Sequence, residues 1–110
     1  MAQGQHEVID LGDGATLALP AAYVEFEGLS EAKEWLRARI LFASGEQYPV
    51  TFISPVRLMQ DVEDELKTDG FFFEPNLIVV PDLKRATLVS VARDVSKLGS
   101  NYLRGDADSE

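Results

Sequence analysis

Carboxylates are the only side chains in this sequence grouped closely enough to suggest chemistry. Asp61, Glu63, Asp64 and Glu65 fall within residues 61–65, and Glu25 and Glu27 lie two apart. Asp61 and Asp64 are three residues apart, so on a helix they share a face. Two such groups hold a hard cation only loosely. A firm calcium site draws about six to eight oxygen ligands, and no EF-hand loop is present. Glycosidase chemistry needs two carboxylates across a sugar-binding cleft, which a chain of 110 residues rarely builds alone. The simpler account is a solvated helix face. Arg57 can pair with Asp61, and Glu63 with Lys67, each contributing about 0.3–0.5 kcal/mol.

Other catalytic chemistry lacks its residues. The single histidine, His6, has no nucleophile motif beside it. There is no cysteine, which removes thiolate catalysis, thiolate metal sites and disulfides. Of the serines, Ser30 and Ser54 already suit helix capping. Gly12-Asp13-Gly14 stands between two strand-like segments, whereas a phosphate loop joins a strand to a helix. No catalytic residue, cofactor site or metal site is therefore assigned.

Charge says more. Nineteen acidic residues oppose ten basic ones, a net charge of −9. Such a surface repels nucleic acid and anionic membranes and steers basic proteins toward itself. Trp35, Arg37 and Arg39 form a faint stacking pattern on one strand face, but the net charge argues against nucleic acid. Pairing of these arginines with Glu25 or Glu27 across a sheet is the simpler expectation. Arg57 would sit in the first turn of a helix, where the dipole disfavours a cation, so a specific acid such as Glu74 is expected beside it.

The elements that must position these groups follow from periodicity. His6–Leu11 and Ala15–Leu19 read as a hairpin around Gly12-Asp13-Gly14, and Pro20 places it at a sheet edge. Ala22–Glu27 alternates and reads as a half-buried strand. Residues 30–43 read as a short helical turn over 30–35 and then a strand over 36–43. One continuous helix is the alternative. Tyr48–Ser54 is a strand that pairs with it through the Ser44–Gln47 turn.

Ser54 and Pro55 then open a helix with an apolar stripe of Leu58, Met59, Val62 and Leu66, ended by Asp69-Gly70. Phe71-Phe72-Phe73 reads as a strand or packed loop. Leu77–Val80 is apolar throughout, which predicts a central strand covered on both faces. A last helix, capped by Asp82, carries Leu88, Val91, Ala92, Val95 and Leu98 and stops at Gly99.

The expected fold is α+β: a mostly antiparallel sheet of about five or six strands with two main helices packed on it. Residues 1–98 form a single domain, and residues 99–110 form a mobile acidic tail. With no signal-peptide pattern at its start, the chain is expected in the cytoplasm. The expected function is a non-enzymatic protein-binding module for a basic partner, such as an inhibitor or immunity-type protein. Asp61, Glu63, Asp64, Glu65, Glu25 and Glu27 are the candidate contact residues. The alternative is a structural or assembly subunit. It would form a homodimer or larger complex through an apolar surface of Phe71–Phe73, Trp35 and Leu41.

Overall fold

The computed structural model describes residues 7–21, 23, 33–99 and 103–104. Their elements run β1 (Glu7–Gly12), β2 (Ala15–Leu19), β3 (Trp35–Leu41), β4 (Gln47–Ile53), α1 (Pro55–Thr68), β5 (Leu77–Val79) and α2 (Arg85–Leu98). The five strands form one sheet in the order β1-β2-β3-β4-β5. All neighbours are antiparallel except β4 and β5, which are parallel with α1 between them. This is the α+β fold expected from the sequence.

Alternation decides which sheet face holds the core. Along β3, Leu36, Ala38 and Ile40 are buried while Trp35, Arg37 and Arg39 are exposed. Leu36 lies opposite Phe52, Ala38 opposite Val50, and Leu17 opposite Ile40, so the buried face continues across three strands. The continuous helix weighed for residues 30–43 is thereby overturned. Lys33 is helical, Glu34 turns at φ 65, and the strand begins at Trp35.

Helix α2 covers this face. Its Leu88 and Ala92 are fully buried in the same cluster as Leu17, Ile40 and Phe52, and Val91 and Val95 pack around them. Asp82 organises its start. The carboxylate accepts the Lys84 N–H at 2.9 Å and the Thr87 hydroxyl at 2.7 Å, which holds its pKa below the usual 3.8. The buried Tyr23 donates its hydroxyl to the Leu83 carbonyl at 3.1 Å. Arg85 lies 5.5 Å from the Tyr23 ring centroid and pairs with Glu7 of β1. The turn between β1 and β2 needs glycine at position 14. Its φ is 83, and an added Cβ would come within 2.6 Å of the Ala43 Cβ.

Two expectations change. Tyr23, the one described residue of the segment expected as a strand over 22–27, is helical. Its N–H returns to the Pro20 carbonyl at 3.0 Å, so the chain turns at Pro20 instead of extending. Strand β5 is an edge, not the centre. Its apolar run divides: Ile78 packs against the core, Val80 is buried just past the strand, and Val79 is left exposed. The two helices differ in burial: Arg57, Leu58, Asp61 and Val62 of α1 are half-buried and none of its residues is fully buried.

Within the span 99–110, the described residues include Leu103 and Arg104. Leu103 packs against the core, and Arg104 exchanges two hydrogen bonds of 2.7 Å with the Asn76 amide. That amide also donates to the Pro49 carbonyl at 2.7 Å, so one side chain joins three segments.

Unequal burial of the two helices gives a measurable contrast. Leu88→Ala should cost about 2–5 kcal/mol in urea unfolding, whereas Leu66→Ala in α1 should cost about 0.5 kcal/mol or less. Equal losses would refute this division of the fold. Asp82 adds a pH signature. Its depressed pKa contributes stability that is present above 3.8 and is lost as pH falls through its lower folded-state value. Asp82→Ala should therefore lower the thermal midpoint at pH 7 and leave it nearly unchanged near pH 2.

Candidate protein-binding surface

Helix α1 is fixed at its first turn by the chain that precedes it. The Ser54 N–H donates to the Glu34 carbonyl at 3.0 Å, and its hydroxyl donates to the Glu34 carboxylate at 2.6 Å. The same oxygen accepts the Arg57 N–H at 3.2 Å, so Ser54 is the cap and Pro55 begins the helix, as the sequence implied. Arg57 resolves its unfavourable position locally. Its Nε donates to Asp61 at 3.0 Å and its Nη1 to the Lys33 carbonyl at 3.4 Å. The acid expected for it, Glu74, instead pairs with Arg37 at 3.6 Å. Arg37 thus finds its partner outside the Glu25 and Glu27 pair.

Both ion pairs line an open concavity of about 170 Å³ on the face of the sheet opposite the core. Trp35, Thr51 and Ile53 form its floor. Each of its cations already has a carboxylate, so its charges cancel within the chain. It holds no histidine or free carboxylate for acid–base work. Among the described residues, no group of three or more histidines, aspartates or glutamates could hold a metal.

Of the expected contact residues, Asp61, Asp64 and Glu65 lie within about one turn of each other, and the charges of Asp61 and Asp64 add to the rise of the Glu65 pKa. Asp61 is half-buried and committed to Arg57. Glu63, Asp64 and Glu65 are exposed, and helical rotation of about 100° per residue sets Glu63 apart from the other three. Glu25 and Glu27 lie outside the described residues. An acid the sequence reading treated only as a helix stop, Asp69, completes a pair. It hydrogen-bonds Glu65 and repels its charge, and together these raise the Glu65 pKa above the usual 4.5.

The apolar residues that the sequence singles out divide between covered and open positions. In α1, Leu58 and Val62 are half-buried, but Met59 is 59% exposed and Leu66 is 50% exposed. Phe71 at 63% and Phe73 at 70% follow the helix end, where Gly70 turns the chain at φ 82. Glu63 flanks the Met59–Leu66 line on one side, and Glu65 and Asp69 flank it on the other. An apolar stripe between acidic margins is thus left open. Sequence periodicity could find the stripe, but not that the chain leaves half of it uncovered.

No family model matches this chain, and comparison with characterised proteins and with solved structures finds no match either. Among the described residues, no helix is long and apolar enough to cross a membrane.

The Glu65–Asp69 pair predicts a pH-dependent response. A carboxyl whose folded pKa is raised contributes stability below its unfolded pKa and loses it as pH rises through the folded value. At pH 7 the pair is repulsive. Glu65→Gln should therefore raise the thermal midpoint at pH 7 and give no gain near pH 3. An equal shift at both values would exclude charge repulsion as the cause. In an NMR titration, Asp69→Asn should return the Glu65 pKa toward 4.5.

Proposed function

We propose that this chain is a non-enzymatic protein-binding module whose partner presents a basic surface. One observation carries the reading: α1 is strongly amphipathic and acidic, yet none of its residues is fully buried and every one beyond Val62 is exposed. A helix whose last turns lie open presents its remaining apolar side chains outward. Net charge −9 supports a cationic partner, because oppositely charged surfaces accelerate encounter and reject like-charged competitors. A concrete form is an inhibitor or immunity-type protein that covers the cationic site of a basic enzyme in the cytoplasm.

A second reading has its own support. Trp35, Val79, Phe71 and Phe73 are all exposed apolar residues, and Trp35 and Val79 lie in one row of the sheet on either side of Ile53. That surface fits a structural or assembly subunit that pairs with a second copy. The two readings differ in their response to salt, because screening weakens charge pairing and leaves apolar contact largely intact.

The test is affinity capture from the native cell extract with the full chain and with Glu63→Gln/Glu65→Gln, read by mass spectrometry. A basic protein should be captured by the full chain and reduced in the variant. Its recovery should fall at least about tenfold between about 0.05 and 0.5 M NaCl. Capture of no basic protein, or capture indifferent to both salt and variant, would overturn the reading. A dimeric mass in light scattering that survives high salt would favour self-assembly instead.

A further inference from the structure

We propose that the open stripe of α1 is the seat of a cationic amphipathic helix from the protein partner. This inference rests on the basic-partner reading and adds where the partner binds and what the binding segment is made of. Met59, Val62 and Leu66 recur at i, i+3 and i+7, the spacing at which one helix receives the apolar side chains of another. Val62 is half-buried and the other two stand open, so the stripe is part of the surface rather than of the core. Phe71 and Phe73 extend apolar surface beyond the helix end. Aromatic side chains of this kind are frequent anchors in protein interfaces.

The margins select the occupant. Glu63 lies on one side of the stripe and Glu65 and Asp69 on the other, with Lys67 the one basic residue in the last turn. A second copy of the chain would bring the same acids against these acids. A hydrogen bond to Asp69 and then the charges of Asp69, Asp61 and Asp64 raise the Glu65 pKa, so further negative charge there is unfavourable. An anionic membrane is repelled for the same reason. A helix with apolar residues on one face and Lys or Arg at its edges satisfies both demands. Its apolar face displaces water from Met59 and Leu66, and its cations relieve the crowding of Glu65 and Asp69. The shallow concavity beside Trp35 does not compete for this segment, because its charges are matched within the chain.

The probe is a fluorescent Leu/Lys amphipathic peptide of about 18 residues, long enough to be helical when bound. Its control is a scrambled peptide of identical composition. Binding is read by fluorescence anisotropy on the full chain, on Met59→Gln/Leu66→Gln and on Glu63→Gln/Glu65→Gln. Both variants change exposed residues, and circular dichroism verifies that they remain folded. The patterned peptide should bind the unaltered chain at least about tenfold more tightly than the scrambled one. Met59→Gln/Leu66→Gln should abolish that preference.

Three outcomes would overturn the inference. In the first, both peptides bind equally and only the glutamate variant weakens them, which removes the helix seat and leaves the basic-partner reading intact. In the second, no peptide binds the unaltered chain, which removes the seat while capture of a basic protein still decides the broader reading. In the third, the chain dimerises in light scattering and Met59→Gln/Leu66→Gln restores the monomer, which assigns the stripe to a second copy.

Discussion

Leu17, Ile40 and Phe52 stand on one face of neighbouring strands, and Leu88 and Ala92 of α2 close over that face in a single buried cluster. Burial of that face is the constraint on which the rest of the molecule depends. The contribution is large, because each fully buried aliphatic or aromatic side chain is worth about 1.5–3 kcal/mol. The remaining contacts of α2 hold it in that place. Asp82 fixes its first turn, Gly99 its last, and Tyr23 ties the chain after β2 to the Leu83 carbonyl. With one helix enough to cover the core face, the second helix is free of that duty.

Helix α1 shows what such freedom looks like. It is secured at one end by the Ser54–Glu34 contacts and by Arg57, and beyond Val62 every residue is exposed. As the crossover between the parallel strands β4 and β5 it must exist, but a helix that bridges two strands can do so with little burial when the second strand is short. Strand β5 has three residues and lies at the sheet edge.

Local signals in the sequence were read well because their causes are local. Ser54 and Pro55 at a helix start, Gly70 and Gly99 at helix ends, and the alternation of β3 depend on a few adjacent residues. Position within the sheet depends on the whole chain, and there the reading failed. Four apolar residues from Leu77 to Val80 suggested a central strand. An edge strand with one residue on the core, one beyond its end and one in solvent has the same composition. Likewise, helical rotation sets Glu63 apart from Asp61, Asp64 and Glu65, which act on one another. The partner of Glu65 turned out to be Asp69, one turn further on. The apolar stripe was legible from its period, while its exposure was not, because periodicity reports that a helix has two faces and not which face meets the protein.

Exposed Met59, Leu66, Phe71 and Phe73 would ordinarily make a small protein sticky. The acids around them offer a physical counterweight. Two copies approaching through this region must bring Glu63, Glu65 and Asp69 into low-dielectric contact with their counterparts, where repulsion is strongest. The energy opposing such a contact grows with the very desolvation that would make it favourable. A cationic partner reverses that sign without changing the apolar part. The same residues can thus discourage self-pairing and favour one class of partner. Specificity of this kind requires both elements side by side, an apolar stripe for attraction and a charged margin for rejection. Neither half alone distinguishes a partner from the rest of the cell. Their juxtaposition on the open part of α1 is the strongest structural support for the proposal that this helix carries recognition.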